Sequence, residues 1–133
     1  VARLYNFFLQ NGTTTYPLVN SLDGYDEISL TSDVLITTNN SEQIIPQDEL
    51  PFRSNTSDEI HAGNTIEDAA NIFMAVLRNE ATEAQKNVVL VNSAFAMQCY
   101  TNQDLHECIA ACDESIGSGK ALHLFTRVIA NGQ

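Results

Sequence analysis

Two adjacent carboxylates, Asp26 and Glu27, follow an Asp23-Gly24 turn and precede the short apolar-polar alternation Ile28-Ser29-Leu30-Thr31. Acids side by side in a turn suit a hard divalent cation such as Mg²⁺, which takes oxygen ligands and keeps several of its waters. In a regular strand successive side chains point to opposite faces, so neighbouring acids could not meet one ion. Joint coordination therefore requires regular strand geometry to begin no earlier than Ile28. The competing reading is a solvated turn whose acids discourage pairing at a sheet edge.

Other chemistry-bearing residues read as structural. Cys108 and Cys112 lie four apart with His106 nearby, so the two thiols share a helix face. They share it with Leu105 and Ile116, however, and free Cys packs as a small apolar residue. The paired CxxC spacing of a zinc site is missing. Gly117-Ser118-Gly119-Lys120 has the outline of a phosphate loop, but position 114 is Glu and Ala121 follows the Lys. A helix end followed by a new helix start explains these residues better. Asn11-Gly12-Thr13, Asn39-Asn40-Ser41 and Asn55-Thr56-Ser57 match the glycosylation pattern by chance in an Asn-rich chain. His61 and His123 have no neighbouring nucleophile pattern. The sequence offers no catalytic nucleophile or base and no substrate-binding residue by itself.

The elements that must hold the acid pair follow from patterning. Leu4, Phe7 and Phe8 recur at helical spacing, so residues 1–10 predict a helix closed by Asn11-Gly12. Tyr16-Pro17-Leu18-Val19 predicts a strand start, with Pro17 limiting it to the first position or an edge. Ile28–Leu30 and Val34–Thr38 predict strands, with Ile44-Ile45 as a third short one. Residues 39–64 are polar, carry Pro46 and Pro51, and predict a long surface connection. Asn64–Glu67 or Thr65–Asp68 supplies a capping box for a helix running to about Asn79. Val88–Met97 is apolar nearly all round and predicts a helix buried on most sides. Asn102 is the predicted cap of a further helix that Gly117 and Gly119 close. A last amphipathic helix carries Leu122, Phe125, Val128 and Ile129. The fold class is α/β, a few short strands followed by about four helices, with too little sheet to cover so much apolar helix.

At 133 residues with 44% apolar content, the chain can build one modest core. Seventeen acids against six scattered bases give a net charge of −11 and exclude nucleic-acid binding, which needs clustered Lys and Arg. No apolar run reaches membrane-spanning length, so no membrane association is expected. Three cysteines, an odd number, point to a reducing cytoplasm. Val1-Ala2-Arg3-Leu4-Tyr5 begins in mid-element, which suggests a fragment or processed product.

Ser21-Leu22-Asp23-Gly24-Tyr25-Asp26-Glu27-Ile28-Ser29-Leu30-Thr31 resembles the Asp-Glu segment of the anthranilate phosphoribosyltransferase family. Three more stretches are similar to that family in the same order. Val1–Gln10 matches its Ala-Arg-Leu-Tyr helix, and Ala62–Arg78 its Gly- and acid-rich helix entry. Val88–Lys120 with Ala121-Leu122 matches its Leu-Asn-Ala-Ala helix and closing Ser-Gly-Lys-Ala-Leu. Ser32 stands where Gly is common, and residues 33–36 are shortened.

The resemblance implies that residues 1–133 are a C-terminal fragment of the α/β glycosyltransferase domain, a fold shared with nucleoside phosphorylases. The family's N-terminal helical domain, through which it forms homodimers, and its phosphate-binding motifs would lie upstream. The whole enzyme would move phosphoribose from phosphoribosyl pyrophosphate to anthranilate in tryptophan biosynthesis, in the cytoplasm. Asp26 and Glu27 would be its magnesium ligands, and Mg²⁺ would stabilise charge on the departing pyrophosphate. The fragment alone would be inactive and would expose apolar surface. The alternatives are a related pyrimidine nucleoside phosphorylase-like enzyme, which the Leu-Asp-Gly-Tyr-Asp-Glu segment disfavours, and a non-catalytic acidic binding module.

Overall fold

The computed structural model describes residues 17–38, 41–101 and 103–132. The helix expected over residues 1–10, with its Asn11-Gly12 end, lies outside them.

Three short strands form an antiparallel meander in chain order: β1 (Leu18–Ser21), β2 (Val34–Thr37) and β3 (Glu42–Ile45). The register sets Val19 opposite Ile36 and Val34 opposite Ile45. With a side-chain period of two, these four residues share one face. That face covers a core of Ile28, Leu30, Val34, Leu50 and Val91, all buried.

Four helices follow: α1 (Ile66–Leu77), α2 (Glu83–Thr101), α3 (Leu105–Gly117) and α4 (Lys120–Asn131). Of the two capping boxes open to the sequence, Thr65–Asp68 forms. Thr65 Oγ1 accepts from the Asp68 N–H at 3.0 Å, and the Asp68 carboxylate accepts from the Thr65 N–H at 3.1 Å. The Thr65 side chain first, and then the Asn64 N–H, hold the Asp68 carboxyl below its usual range. At the other end Asn79 takes φ +60. The Asn79 N–H then bonds Val76 O at 3.0 Å and the Glu80 N–H bonds Ala75 O at 2.8 Å. This left-handed turn satisfies carbonyls the helix leaves open. A Thr82–Gln85 capping box starts α2.

α3 starts on Asp104, whose Oδ1 accepts from the His106 N–H at 2.8 Å. Asp104, not Asn102, is therefore the cap; Asn102 itself lies outside the described residues. Gly119 at φ +76 turns the chain from α3 into α4, as the paired glycines predicted.

Burial in α2 is narrower than its composition suggested. Ala84, Asn87, Leu90, Val91 and Ala94 are buried, while Val89 and Ala96 face outward. Neighbouring residues of this helix serve two cores. Val91 belongs to the core beneath the sheet, and Leu90 joins Val76 and Ile116 in a second core among the helices. Lys86 of α2 and Asp113 of α3 are paired at 2.5 Å.

The long polar connection is ordered by two 3₁₀ turns, Gln47–Glu49 and Ser57–Ile60. It delivers Leu50 to the first core. Glu59 caps the second turn and takes a 2.7 Å contact from Arg53 Nη2. The Arg53 bond first, and then the Thr56 N–H, lower the Glu59 carboxyl to about 2.

Ile66, Tyr100, Leu124 and Val128 stand exposed on the helices, in line with the apolar surface expected.

Candidate functional site

Ile28–Leu30 is not a strand. After β1 the chain enters an irregular loop from Leu22 to Asp33, and regular geometry resumes only at Val34. Leu30 sits at φ +62, which no sheet accommodates. The alternation Ile28-Ser29-Leu30 reads as a strand by pattern, yet its burial comes from packing against α2, not from sheet pairing. Asp26 and Glu27 lie in a bend, so the alternation that would separate them does not apply.

Ser21, fully buried at the end of β1, anchors the loop. Its N–H donates to Tyr25 O at 2.9 Å, and its carbonyl accepts from the Gly24 N–H at 3.1 Å. Its hydroxyl donates to Glu27 O at 2.7 Å and accepts from the Ser29 N–H at 3.2 Å. Gly24 takes φ +106, where a Cβ would be strained. From Ser21 the hydroxyls run through Ser29 Oγ, 3.1 Å away, to Thr31 Oγ1, 2.7 Å further on. Thr31 Oγ1 then donates to the Asp23 carboxylate.

The far side of the pair is held by α2. Asn92 Oδ1 accepts from the Ile28 N–H at 2.9 Å, and Asn92 Nδ2 donates to Ile28 O at 2.9 Å. The sequence reading does not single out Asn92. The signal is there: an amide in the apolar run Val88–Ala94 needs a partner once it is half-buried.

Four acids lie between residues 23 and 33, and their tasks differ. Asp23 is engaged by Thr31, and Asp33 Oδ1 accepts from the Gln47 N–H at 2.9 Å. Among the described residues, neither Asp26 nor Glu27 takes part in an ion pair, and both are exposed. Two hard oxygen donors on a braced bend fit Mg²⁺, which binds through one or two carboxylates and fills its shell with water and ligand oxygens. No three His, Cys, Asp or Glu side chains converge among the described residues. An ion here would take its other ligands from elsewhere.

The remaining candidates are structural. Cys108 is buried and Cys112 partly buried in the helical packing, while His106 is exposed. Lys120 Nζ donates to Glu114 Oε1 at 2.7 Å across the α3–α4 turn. An apolar groove of about 260 Å³ between α1 and α2 is lined by Ile60, Ile72, Phe73, Leu77, Val88 and Val89. Its lining carries no carboxylate.

Comparison with known proteins matches residues 2–122 to the glycosyl transferase family, a/b domain. The chain is 48% identical over 120 residues to anthranilate phosphoribosyltransferase of Bacteroides fragilis (strain YCH46), covering 90% of the chain and 36% of that protein. It is 44% identical over 128 residues to the Bacteroides thetaiotaomicron protein of the same name, covering 96% and 39%. The chain thus spans under two-fifths of the length of these curated relatives. Among solved structures it is similar to anthranilate phosphoribosyltransferase from Thermus thermophilus, with TM-score 0.73 and 19% identity over 87% of the chain and 35% of that protein. The Saccharomyces cerevisiae enzyme in complex with PRPP and Mg gives TM-score 0.70 and 19% identity, over 82% and 31%. At that identity the structures speak to the fold alone. The chain belongs to the glycosyl transferase family, residues 2–122 matching its a/b domain.

Proposed function

We propose that the full-length protein carrying this chain transfers phosphoribose from phosphoribosyl pyrophosphate to anthranilate, and that Asp26 and Glu27 are its Mg²⁺ ligands. The observation that carries the reaction is the 48% identity to an anthranilate phosphoribosyltransferase over nine-tenths of the chain. The acid assignment rests on the division of labour in the loop, where Asp23 and Asp33 are engaged by neighbours and the adjacent pair is in no ion pair.

In this reading the chain's own residues bind and orient; they do no covalent chemistry. Ser21 and Asn92 brace the bend from two sides, so both carboxylates face solvent on a fixed backbone. Mg²⁺ bound there would neutralise charge on the pyrophosphate leaving group. It also reconciles an acidic chain with a polyanionic substrate. The groups that grip phosphate and anthranilate are assigned to the upstream part of the full-length protein, along with a helical domain supporting a homodimer. We assign the protein to the cytoplasm. Among the described residues no helix is long and apolar enough to cross a membrane, and the three cysteines are free thiols.

The test is anthranilate consumption, followed by its fluorescence, in the presence of phosphoribosyl pyrophosphate and Mg²⁺. The full-length protein is expected to turn over and residues 1–133 alone are not. Full-length protein without turnover overturns the reaction, and turnover by residues 1–133 overturns the division of the site. Asp26→Asn with Glu27→Gln in the full-length protein is expected to weaken the Mg²⁺ dependence. An unchanged dependence removes the pair from the site.

A further inference from the structure

Asn92 makes three hydrogen bonds from one short side chain. Its Nδ2 donates to Val88 O at 2.8 Å within its own helix, and the same amide meets the Ile28 N–H and C=O at 2.9 Å each. An Asn in a helix interior ordinarily turns to solvent or competes with the helix for hydrogen bonds. Here the Val88 contact ties down the side chain and leaves donor and acceptor aimed together at one residue's backbone. Ile28 is the residue after Glu27, 64 positions away in the chain, and it belongs to no strand. The Asn92 amide therefore replaces the strand partner that the backbone of Ile28 lacks.

We propose that Asn92 is the positioning residue for the Asp26-Glu27 bend, fixing where the two carboxylates stand relative to α2. This rests on reading those acids as the Mg²⁺ ligands. Glu27 has its carbonyl held by Ser21 Oγ at 2.7 Å, and its successor is held on both backbone groups by Asn92. The Glu27 carbonyl and the Ile28 N–H belong to one peptide unit, so the two braces grip it from opposite sides and fix the end of the bend, while the Ser21 N–H holds its start through Tyr25 O at 2.9 Å. Releasing Ile28 leaves its buried backbone groups without partners, and the bend then relaxes to find others. Two exposed carboxylates on a loosened bend meet one ion together less often, so affinity falls. Partners one step removed from a metal typically set affinity by about 10- to 100-fold, and that is the loss expected.

The experiment uses the full-length protein with Mn²⁺ as the probe, in the presence of inorganic pyrophosphate. Free Mn²⁺ is read by electron paramagnetic resonance, and amide exchange is followed at residues 28–30. Asn92→Leu removes all three bonds. Asn92→Ser is the milder variant: a serine hydroxyl can still bond the Val88 carbonyl one turn back, but it releases Ile28. Val76→Ala, in the second core, controls for general destabilisation.

Both Asn92 variants are expected to weaken Mn²⁺ binding by about tenfold or more and to speed exchange at residues 28–30. Val76→Ala is expected to lower Tm with Mn²⁺ affinity unchanged. If Asn92→Leu does not fold, Asn92→Ser carries the comparison. Folded Asn92→Ser with wild-type Mn²⁺ affinity overturns the role of Asn92 when Asp26→Asn/Glu27→Gln has lost binding. If that double variant keeps wild-type affinity, the metal assignment itself is overturned, and the role of Asn92 with it.

Discussion

Gly63→Ala should be far more damaging than a glycine outside both cores suggests. Gly63 takes φ +84 just ahead of the α1 capping box, and a Cβ there would stand 2.2 Å from the Asp68 Cβ and 3.0 Å from its Cγ. The Asp68 Cβ is one bond from the backbone and cannot swing aside as a side-chain tip can. Ordinary carbon contact needs roughly 3.5–4.0 Å, so the loop or the first turn of α1 must move by more than an ångström. The two bonds from the Asn64 and Thr65 N–H groups to the Asp68 carboxylate, both 3.1 Å, would not survive that shift. Left-handed φ costs about 1–2 kcal/mol and overpacking about 1–3 kcal/mol more.

Gly119→Ala supplies the comparison. Its φ is +76, but nothing lies within 4 Å of a Cβ built there, so only the backbone cost of about 1–2 kcal/mol applies. Urea unfolding of the full-length protein and amide exchange at residues 64–69 measure the difference. Gly63→Ala should lose protection through the first turn of α1 and destabilise by more than Gly119→Ala. Equal effects from the two substitutions would refute the overlap with Asp68 as the cause.

Glu59 should titrate near 2 in a carbon-13 NMR titration, because the Arg53 side chain and then the Thr56 N–H favour its charged form. A depressed carboxyl stabilises the fold above its ordinary value of 4.5 and loses that contribution as pH falls toward about 2. Arg53→Gln should return the midpoint toward the ordinary value, and an unmoved midpoint would show that the pair is not formed in solution. Asn79→Gly should be neutral or stabilise by up to about 1 kcal/mol, since glycine takes the left-handed position after α1 without a Cβ. Asn79→Val should destabilise by more than about 1 kcal/mol, and equal thermal midpoints for the two variants would contradict the turn.

The helices are legible because their signals are local. Thr65 and Asp68 sit three apart, and the capping box forms on that spacing; Gly117 and Gly119 mark the α3–α4 junction. The strand reading of Ile28–Leu30 fails for a reason no local pattern carries. An apolar-polar-apolar run implies alternating faces, yet Ile28, Ser29 and Leu30 are all fully buried, beneath the sheet and against α2 and Leu50. Their backbone is satisfied by Asn92 and, at Leu30 O, by the Asn55 N–H at 2.8 Å. Those partners lie 64 and 25 positions away in sequence. Asn102 and Asp104 are both of types that cap helices well, and only the path of the chain chooses between them. The acid pair is legible as a pair, but its independence from Asp23 and Asp33 is not, since all four look alike in a sequence.

Leu90, Val91 and Asn92 are consecutive, yet one fills the helical core, the next fills the core beneath the sheet, and the third holds Ile28. A helix turning about 100° per residue lets three neighbours address three different surroundings. The consequence is genetic as much as structural. Inserting or deleting one residue anywhere in the preceding turns of α2 would rotate all three out of place together, and no single substitution could restore them. Along α4, where none of the described residues is buried, the same change beyond Phe125, which packs edge-on against Phe73, would cost less. Lineages of this domain should therefore tolerate length changes late in α4 more readily and keep the spacing from Thr82 to Asn92 constant.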